Sequence, residues 1–477
     1  MLPSFAALVL ALVVLATAGP AAAEVAIFRM DSREAALEGE ADGVAVGPLG
    51  DLGLSPRLDR LAGFDVPFVF TAASLPDGGV VLGTGNDGQV MRVAADGTPE
   101  ILAELGEATV FAVLGRGDGS ILAAGAPGGQ VVRVSDGRVE ELFDPEATYV
   151  WALAEDARGR LLVATGLPGR LLRVDGDRST VLYESPDGHV RSVLPRADGS
   201  ILVGTAGEGL IVEIAADGSV RTLHDAAEPE VLAFAESADG STVWAALLAS
   251  EASLVDLSGG GDAEAESVAP TIGSRAGGHQ GPRSVVVSID ADRRVERRAT
   301  LEDETVHALL ADGEGLWIGS GQEGRLYRLR VDAEVDALVR EAQLDDRQIV
   351  ALVGGSTGAR VITADSAAVY AIADARVDSG ELVSRVLDAG ELARFGTWRW
   401  FGEPRGGRVE VSVRAGMAAA PDATWTDWRS IGGLDQPGEL GLSDLGRGRY
   451  VQWRLRLVAG SGRTAADAGP RVTAVEL

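Results

Sequence analysis

The chain has 477 residues and a formal net charge of −29, and all 42 of its basic side chains are arginine because lysine is absent. So acidic a chain repels phosphates, which excludes nucleic acid as an expected partner. The acidity is explained either by a GC-rich coding bias or by adaptation to high salt. Cysteine is absent too, so disulfides and a lipid-modified N-terminal cysteine are excluded.

The first residues predict export. An apolar run from Phe5 to Ala18 precedes Gly19, Pro20 and three alanines, a pattern typical of a secretory signal that is cleaved after Ala23. An uncleaved anchor is the alternative, but the run is short for a membrane span of ~20 residues. We therefore expect residues 1–23 to be removed. The mature chain is then expected to have no membrane span and to be secreted or periplasmic.

A repeated unit dominates most of the chain. Seven aligned strand openings are spaced by 41, 40, 40, 41, 75 and 43 residues, and they begin at Val69, Val110, Val150, Val190, Val231, Val306 and Ile349. Each unit holds four short apolar runs, with turns such as Asp118-Gly119 that are a hairpin signal. Units of about 40–45 residues with four strands are typical of β-propeller blades. The sequence therefore predicts a seven-bladed β-propeller over residues 24–383.

Two irregularities interrupt the repeat. The seventh unit shows only three clear strands, and the segment from Gly43 to Asp65 looks like the last strands of a unit. We therefore expect the N-terminal strands to close the last blade. An insertion at about 251–283, rich in Gly, Ser, Ala and Glu, falls within the fifth unit and has no periodicity, which predicts a loop. That loop is either a lid or a tolerated surface insertion.

The composition changes after residue 383. Residues 384–477 hold five of the eight tryptophans, and runs such as RVEVSVR alternate apolar and polar side chains strictly. We predict a small antiparallel, jelly-roll-like β-sandwich in which most of these tryptophans are core. Four arginines on the alternate register are candidates for a positive sheet face: Arg399, Arg414, Arg454 and Arg456. The predicted fold class is therefore all-β, a seven-bladed β-propeller followed by a small antiparallel β-sandwich.

The side chains that flank the aligned valines form the first candidate site. They are chemically varied although strand propensity does not require it, and in a propeller they lie at the mouth of the central channel. The candidate ligand-binding residues are Tyr149, Trp151, His189, Arg191, Glu230, His307 and Gln348. Such groups around one opening are suited to acid–base chemistry. The alternative is that they pair with one another or pack between blades.

Acidic residues form the second candidate site. Glu104, Asp144, Glu184 and Asp225 each lie six residues before an aligned valine. Converging carboxylates are ligands that Ca²⁺ takes, so a calcium site on this acidic rim is one hypothesis, and no other cofactor is predicted. The alternative is turn chemistry, in which Asp side chains accept hydrogen bonds from nearby backbone N–H groups.

The repeats also carry a family resemblance. The segments GTGNDGQVMRV, ATGLPGRLLRV and GSGQEGRLYRL resemble secreted bacterial seven-bladed propellers, namely NHL, YVTN and WD-type repeats, streptogramin lyases and gluconolactonase-like proteins. The resemblance covers about residues 43–376, and the tail resembles galactose-binding or discoidin-type jelly rolls. It implies the fold rather than the function, because this architecture hosts binders, lyases and hydrolases alike.

The site residues of the enzymatic members of those groups are poorly matched in this sequence. Gluconolactonase-like members resemble one another in a metal site of Glu and Asn, whereas this chain has a single asparagine, Asn86. The resemblance to streptogramin lyases implies catalytic histidines on blade loops. His189 and His307 are compatible with that role, so a lyase stays an open alternative. We favour an exported, monomeric, non-catalytic binding protein that uses a propeller face for a protein, glycan or small-molecule ligand. The alternative is an exported lyase or lactonase-like hydrolase that acts at the channel mouth.

Overall fold

The structure is a computed structural model that describes residues 27–477 apart from 67, 86, 107–108, 136, 250–282, 314, 322, 332–335, 365–366 and 461–468. The predicted signal and nearly all of the predicted insertion at 251–283 lie outside the described residues. Among the described residues, no helix is long and apolar enough to cross a membrane. The N-terminal elements are β1 (Arg29–Met30), α1 (Arg33–Leu37), β2 (Glu40–Asp42), β3 (Val44–Val46), β4 (Leu52–Leu54) and β5 (Pro56–Gly63).

The repeats form four-stranded antiparallel units. The first four units are β6 (Val69–Ser74), β7 (Val80–Thr84), β8 (Gln89–Val93) and β9 (Pro99–Glu104); β10 (Thr109–Gly115), β11 (Ile121–Ala126), β12 (Val131–Ser135) and β13 (Arg138–Phe143); β14 (Tyr149–Glu155), β15 (Leu161–Gly166), β16 (Arg170–Asp175) and β17 (Arg178–Glu184); and β18 (His189–Pro195), β19 (Ile201–Ala206), β20 (Leu210–Ile214) and β21 (Val220–Asp225). Within each unit every strand pairs with the next one along the chain.

The later units follow the same plan. They are β22 (Glu230–Glu236), β23 (Val243–Leu248), β24 (Ser284–Ile289) and β25 (Val295–Leu301); β26 (Val306–Asp312), β27 (Gly315–Ser320), β28 (Arg325–Arg330) and β29 (Ala337–Gln343); and β30 (Ile349–Val353), β31 (Arg360–Thr363) and β32 (Ala368–Arg376). In the last unit β5 supplies the fourth strand and pairs antiparallel with β32, for example Ala62 with Val369. This pairing supports the predicted closure of the ring by the N-terminal segment.

Asp-Gly turns explain why the units begin with a tight hairpin. Four glycines between the first and second strands have φ of 70° to 86°: Gly78, Gly119, Gly199 and Gly240. Glycine adopts this left-handed region without a steric penalty. The aspartate before each glycine accepts a hydrogen bond from the backbone N–H two residues further on, as Asp118 does from Ser120 at 2.9 Å. The hairpins predicted at Asp-Gly pairs are thus present with the expected chemistry.

The units close into a ring. The first strands β6, β10, β14, β18, β22, β26 and β30 each contact the next, and β30 contacts β6. Between each pair of neighbouring units lies a separate apolar core, such as the one that joins Leu162 of β15 to Val203 of β19. Burial of these faces stabilises the ring by about 25 cal/mol per Å² of apolar surface. The fold is an all-β propeller, and these contacts support the prediction of seven blades.

The remaining strands form a second β domain. They are β33 (Ser379–Val383), β34 (Leu387–Arg394), β35 (Thr397–Glu403), β36 (Arg408–Gly416), β37 (Arg429–Leu434), β38 (Gly438–Gly441), β39 (Arg447–Val458) and β40 (Arg471–Glu476), with a short 3₁₀ helix at Ser443–Leu445. One sheet has the order β2-β33-β39-β36-β37, and the strands β3-β4-β40-β35-β38 run along another. A single core that includes Trp398, Trp400 and Trp453 lies between them.

This core differs from the predicted division at residue 384. Val44, Val46, Leu52 and Leu54 of the N-terminal segment are buried in it, as is Leu382 of β33. β-Strands pair without regard to sequence distance, so the local pattern of the tail does not reveal which distant strands share its core. We propose that the second domain consists of residues 27–54 together with residues 377–477. Only β5 of the N-terminal strands then belongs to the propeller.

Candidate functional site

The first strand of every unit carries a β-bulge at the same place. The register shifts across one residue directly after the aligned valine or isoleucine, and the seven bulged residues are Phe70, Phe111, Trp151, Arg191, Leu232, His307 and Val350. A bulge leaves one residue unpaired and redirects its side chain. The bulges therefore explain why these positions do not follow the apolar alternation of the strand.

Five of the bulged residues, Phe70, Phe111, Trp151, Arg191 and His307, lie against a residue that precedes an aligned valine in the same or the next unit. We call the bulged and the preceding residues together the mouth ring, and its preceding residues are Phe68, Thr109, Tyr149, His189, Glu230, Thr305 and Gln348. Backbone bridges help to hold this end of the units: Gly166 pairs with His189, and Ala206 pairs with Glu230. The mouth ring thus brings side chains of neighbouring blades together at this end of the propeller.

One side of the mouth ring is aromatic. The rings of Phe70 and Phe111 lie edge to face with centroids 5.4 Å apart, and the centroid of Trp151 is 5.0 Å from that of Phe111. Tyr149 stacks on Trp151 at 4.8 Å with an interplanar angle of 12°. Such pairs add stabilisation beyond area burial. Together these side chains make an aromatic wall that crosses three blades.

The wall continues directly into polar groups. Trp151 Nε1 donates a hydrogen bond to His189 Nδ1 at 3.1 Å. The Arg191 guanidinium lies over the Trp151 ring, 4.7 Å from its centroid, which is cation–π geometry. Arg191 Nε also donates to Glu230 Oε1 at 2.8 Å. Aromatic, neutral polar and charged side chains therefore form one continuous series of contacts.

Both histidines of the mouth ring are held neutral at pH 7. Burial, followed by the charge of Arg191, lowers the pKa of His189, and its Nδ1 must be unprotonated to accept the proton of Trp151. Burial likewise lowers the pKa of His307 to about 4, again with a contribution from Arg191. His307 Nε2 lies 3.0 Å from Thr305 Oγ1, and its side chain is only partly exposed.

Small residues under the mouth ring are a functional feature that the sequence-based prediction missed. A Cβ added to Gly166 would lie 2.3 Å from His189 Nδ1 and 2.4 Å from Trp151 Nε1. A Cβ on Gly85 would meet the Phe70 ring at 2.6 Å, and one on Gly321 would meet His307 Nε2 at 2.6 Å. The available signal was the recurrence of glycine at or just beyond the end of the second strand.

The structure brings five of the seven predicted ligand-binding residues together. Tyr149, Trp151, His189, Arg191 and Glu230 are contiguous. The sixth, His307, is near enough to Arg191 for that charge to depress its pKa.

The seventh predicted residue, Gln348, is held by its main chain. It has φ of 63°, and its carbonyl accepts a hydrogen bond from Ala364 N at 2.9 Å. Among the described residues, no side-chain hydrogen bond joins Gln348 to the other members. The hydrogen bonds of Trp151 to His189 and of Arg191 to Glu230 agree with the alternative that the candidate residues pair with one another.

The four acids of the predicted calcium rim do not converge. Glu104, Glu184 and Asp225 end the fourth strand of three different units, and Asp144 follows the fourth strand of another. Glu104 accepts from Gln89, and Asp144 accepts from the N–H of Glu146 at 2.8 Å, which is turn chemistry. In the described part of the chain no group of three or more His, Asp or Glu side chains is placed to hold a metal ion. The calcium rim therefore stays a prediction, with its four acids at the fourth strands of four different units.

The second domain uses its aromatic residues mainly as core. Trp398, Trp400, Trp425 and Trp453 are all buried. The predicted positive sheet face is largely neutralised, because Arg399 pairs with Glu439, Arg454 with Glu381 and Arg456 with Glu410. The remaining member, Arg414, donates to Gln452 and lies over Trp428.

Comparison with known proteins identifies the fold alone. No protein-family model matches the chain, and no curated protein matches it. Virginiamycin B lyase from Staphylococcus aureus is similar in structure, with 13% identity, a TM-score of 0.50, and coverage of 68% of this chain and 98% of that one. A catalytically inactive form of that lyase with quinupristin gives 14% identity and a TM-score of 0.50, over 66% of this chain and 98% of that one. YCF48 bound to D1 peptide gives 12% identity and a TM-score of 0.45, over 71% and 97%. The likeness to the lyase, at 13% and 14% identity, supports a propeller fold and assigns no activity.

Proposed function

We propose that the protein is an exported, non-catalytic binding protein whose mouth ring takes a ligand. The observation that carries this proposal is the unbroken contact from Phe111 through Trp151 to Arg191 and Glu230, which spans four blades at one end of the inner strands. Ligand sites combine apolar and aromatic walls with a few placed polar groups. The export part of the proposal rests on the sequence of residues 1–23.

The polar groups favour binding over catalysis. Arg191 is already oriented by Trp151 and Glu230, so its guanidinium is held in place before a ligand arrives. His189 uses Nδ1 to accept from Trp151. We infer that a ligand places an apolar ring or side chain against Phe70 and Phe111. Its polar group then meets Arg191 and Glu230. A glycan, a small molecule or a protein side chain can present both features.

The second candidate function is a lyase or lactonase-like hydrolase at the same mouth. It is favoured by the neutral His307 near the positive charge of Arg191. A neutral imidazole accepts a proton, and a guanidinium stabilises the negative charge that develops. A histidine with a pKa of about 4 is, however, a weak base at neutral pH, which is why we place this function second.

Two arginines at opposite ends of β18 allow a matched test. Arg191 lies on β18 and Arg196 directly follows it, and each donates from Nε to a glutamate of β22, to Glu230 at 2.8 Å and to Glu236 at 2.7 Å. Their side chains are 26% and 21% exposed, so the two sites are nearly equivalent in burial. They differ in that only Arg191 lies in the mouth ring.

The test measures affinity for probes. Thermal-shift screening with uronate oligosaccharides, aldonolactones and aromatic peptides selects a binder, and calorimetry then gives Kd for each variant. Arg191→Gln should weaken binding by about tenfold or more, because a hydrogen bond to a charged group contributes about 1.5–3 kcal/mol. Arg196→Gln should change Kd less than about twofold. Equal effects of the two arginine substitutions on Kd would contradict the assignment of binding to the mouth ring. Turnover of a probe by the parent protein that is lost in His307→Gln would support the enzyme instead.

A further inference from the structure

A second cluster of buried charge lies outside the mouth ring, where the sixth blade meets the N-terminal segment. Glu304 precedes β26, Arg325 and Tyr327 lie on β28, and Arg340 lies on β29. The N-terminal helix α1 begins with Arg33, whose Nη1 donates to the carbonyl of Leu338 at 2.5 Å. The backbone of Arg340 pairs with Val46 of β3, which continues the sheet of the sixth blade into the second domain.

Among the described residues, Glu304 is the carboxylate that contacts this cluster, and its Oε2 is buried without a hydrogen-bond partner. Glu304 Oε1 accepts from Arg325 Nη1 at 2.5 Å and from the Tyr327 hydroxyl. Its electrostatic influence raises the pKa of Tyr327, although burial is the larger cause. Glu304 thus balances one of the three guanidinium groups around it.

Arg340 has no such partner. It is 1% exposed, and Nη2 makes no hydrogen bond while no carboxylate lies within 4.0 Å of it among the described residues. Arg325 Nε is buried without a hydrogen-bond partner as well. The pKa of Arg340 is lowered to about 10, mainly by burial and also by the charges of Arg325 and Arg33, while Tyr327 and Glu304 act in the opposite direction.

The charges of this cluster do not cancel. Within the described part of the chain, Arg33, Arg325 and Arg340 carry three positive charges against the negative charge of Glu304, and the hydrogen bonds of Arg33 go to the backbone carbonyls of Gly47 and Leu338. Buried charges in proteins are normally paired, and buried donors normally find an acceptor. A water molecule would satisfy individual hydrogen bonds but would leave the charge excess unchanged.

We propose that Arg340 and Arg325 bind a small monovalent inorganic anion of the size of chloride. Such an anion accepts from Arg340 Nη2 and Arg325 Nε and offsets part of the positive excess. Because Arg33 and β3 belong to the N-terminal segment, the anion holds the junction between the propeller and the second domain. The proposal is independent of the function assigned to the mouth ring.

The experiment varies chloride at constant ionic strength, with gluconate as the replacing anion, and follows unfolding of the full chain by urea. Once chloride exceeds its Kd, the unfolding equilibrium constant should fall about tenfold for each tenfold rise in chloride. Constant ionic strength removes the general screening effect on this acidic protein. The dependence should disappear in Arg340→Met, which retains the aliphatic stem without the charge.

Arg376→Met is the matched control. Arg376 is a partly buried arginine of this region, but its Nη1 contacts Glu341 Oε2 at 2.6 Å, so it already has a carboxylate partner. Its replacement should lower stability and leave the chloride dependence unchanged. The same chloride dependence in Arg340→Met as in the parent, or none in the parent, would overturn the proposal. If Arg340→Met does not fold, crystals of the parent in bromide decide: an anomalous peak at Arg340 Nη2 supports the site, and its absence refutes it.

Discussion

Replacing Gly166 by alanine is the most direct perturbation of the mouth ring, because it adds one methyl group beneath a hydrogen bond. The new Cβ would lie 2.3 Å from His189 Nδ1 and 2.4 Å from Trp151 Nε1, whereas ordinary contacts begin at 3.4 Å. The two atoms are the acceptor and donor of one bond of 3.1 Å. Both rings must therefore move by about 1 Å, which we expect to break that bond.

The magnitude follows from two contributions. Loss of a buried hydrogen bond costs about 1 kcal/mol, and overpacking a filled site costs about 1–3 kcal/mol. Gly166→Ala should therefore lower the free energy of unfolding by about 2–4 kcal/mol. With an unfolding entropy of about 1 kcal/mol/K for a chain of this length, Tm should fall by about 2–4 °C.

The assay combines far-UV circular dichroism for Tm with near-UV circular dichroism for the Trp151 environment. Gly117→Ala is the matched control, because a Cβ at Gly117 meets nothing within 4 Å, and its effect should stay within about 0.5 kcal/mol. Gly166→Ala should change both signals and Gly117→Ala neither. A Gly166→Ala protein with the parent's Tm and near-UV spectrum would show that the rings do not pack over this glycine.

Two further predictions concern pH and domain organisation. The pKa of His307 is about 4 in the folded state against an ordinary 6.5, so the unfolded state takes up the proton first as pH falls. The free energy of unfolding should therefore decrease between about pH 6.5 and 4, by at most about 3 kcal/mol. Urea unfolding of His307→Gln should lack this pH-dependent contribution. If the stability difference between the parent and His307→Gln does not vary with pH, the histidine is not held neutral. The isolated segment 384–477 should give a collapsed amide spectrum because it lacks β1–β4 and β33, and fusion with 27–54 and 377–383 should restore dispersion. A dispersed spectrum from 384–477 alone would contradict the shared core.

The sequence predicts the blades well because the signal is local and repeated. The aligned openings at Val110, Val150 and Val190 are fully buried in the structure, each at the start of a first strand. The candidate residues of the mouth ring were found for the same reason, since they flank these openings. The acidic rim could not be placed in the same way, because the position of an acid relative to a valine does not reveal whether the fourth strands converge.

The domain boundary was out of reach of sequence patterns for a different reason. Val46 pairs with Arg340 of β29, and Leu52 pairs with Val472 of β40, at the far end of the chain. Such pairings depend on the assembled ring and leave no mark on neighbouring residues. The charged cluster at Arg340 was missed as well, because its charge excess exists only once α1 packs against the sixth blade.

The bulges give the mouth ring a property that regular strands lack. In a regular strand, each change of side chain on one face disturbs its neighbours across the ladder. Here the aligned valines before the bulges remain buried in the cores between blades, while the residue after each valine is removed from the ladder. Trp151 and Arg191 occupy equivalent positions, yet they differ in size, charge and polarity. The ring thus carries its chemistry on positions that its packing does not require, and we infer that these positions define ligand specificity while the valines and glycines maintain the fold.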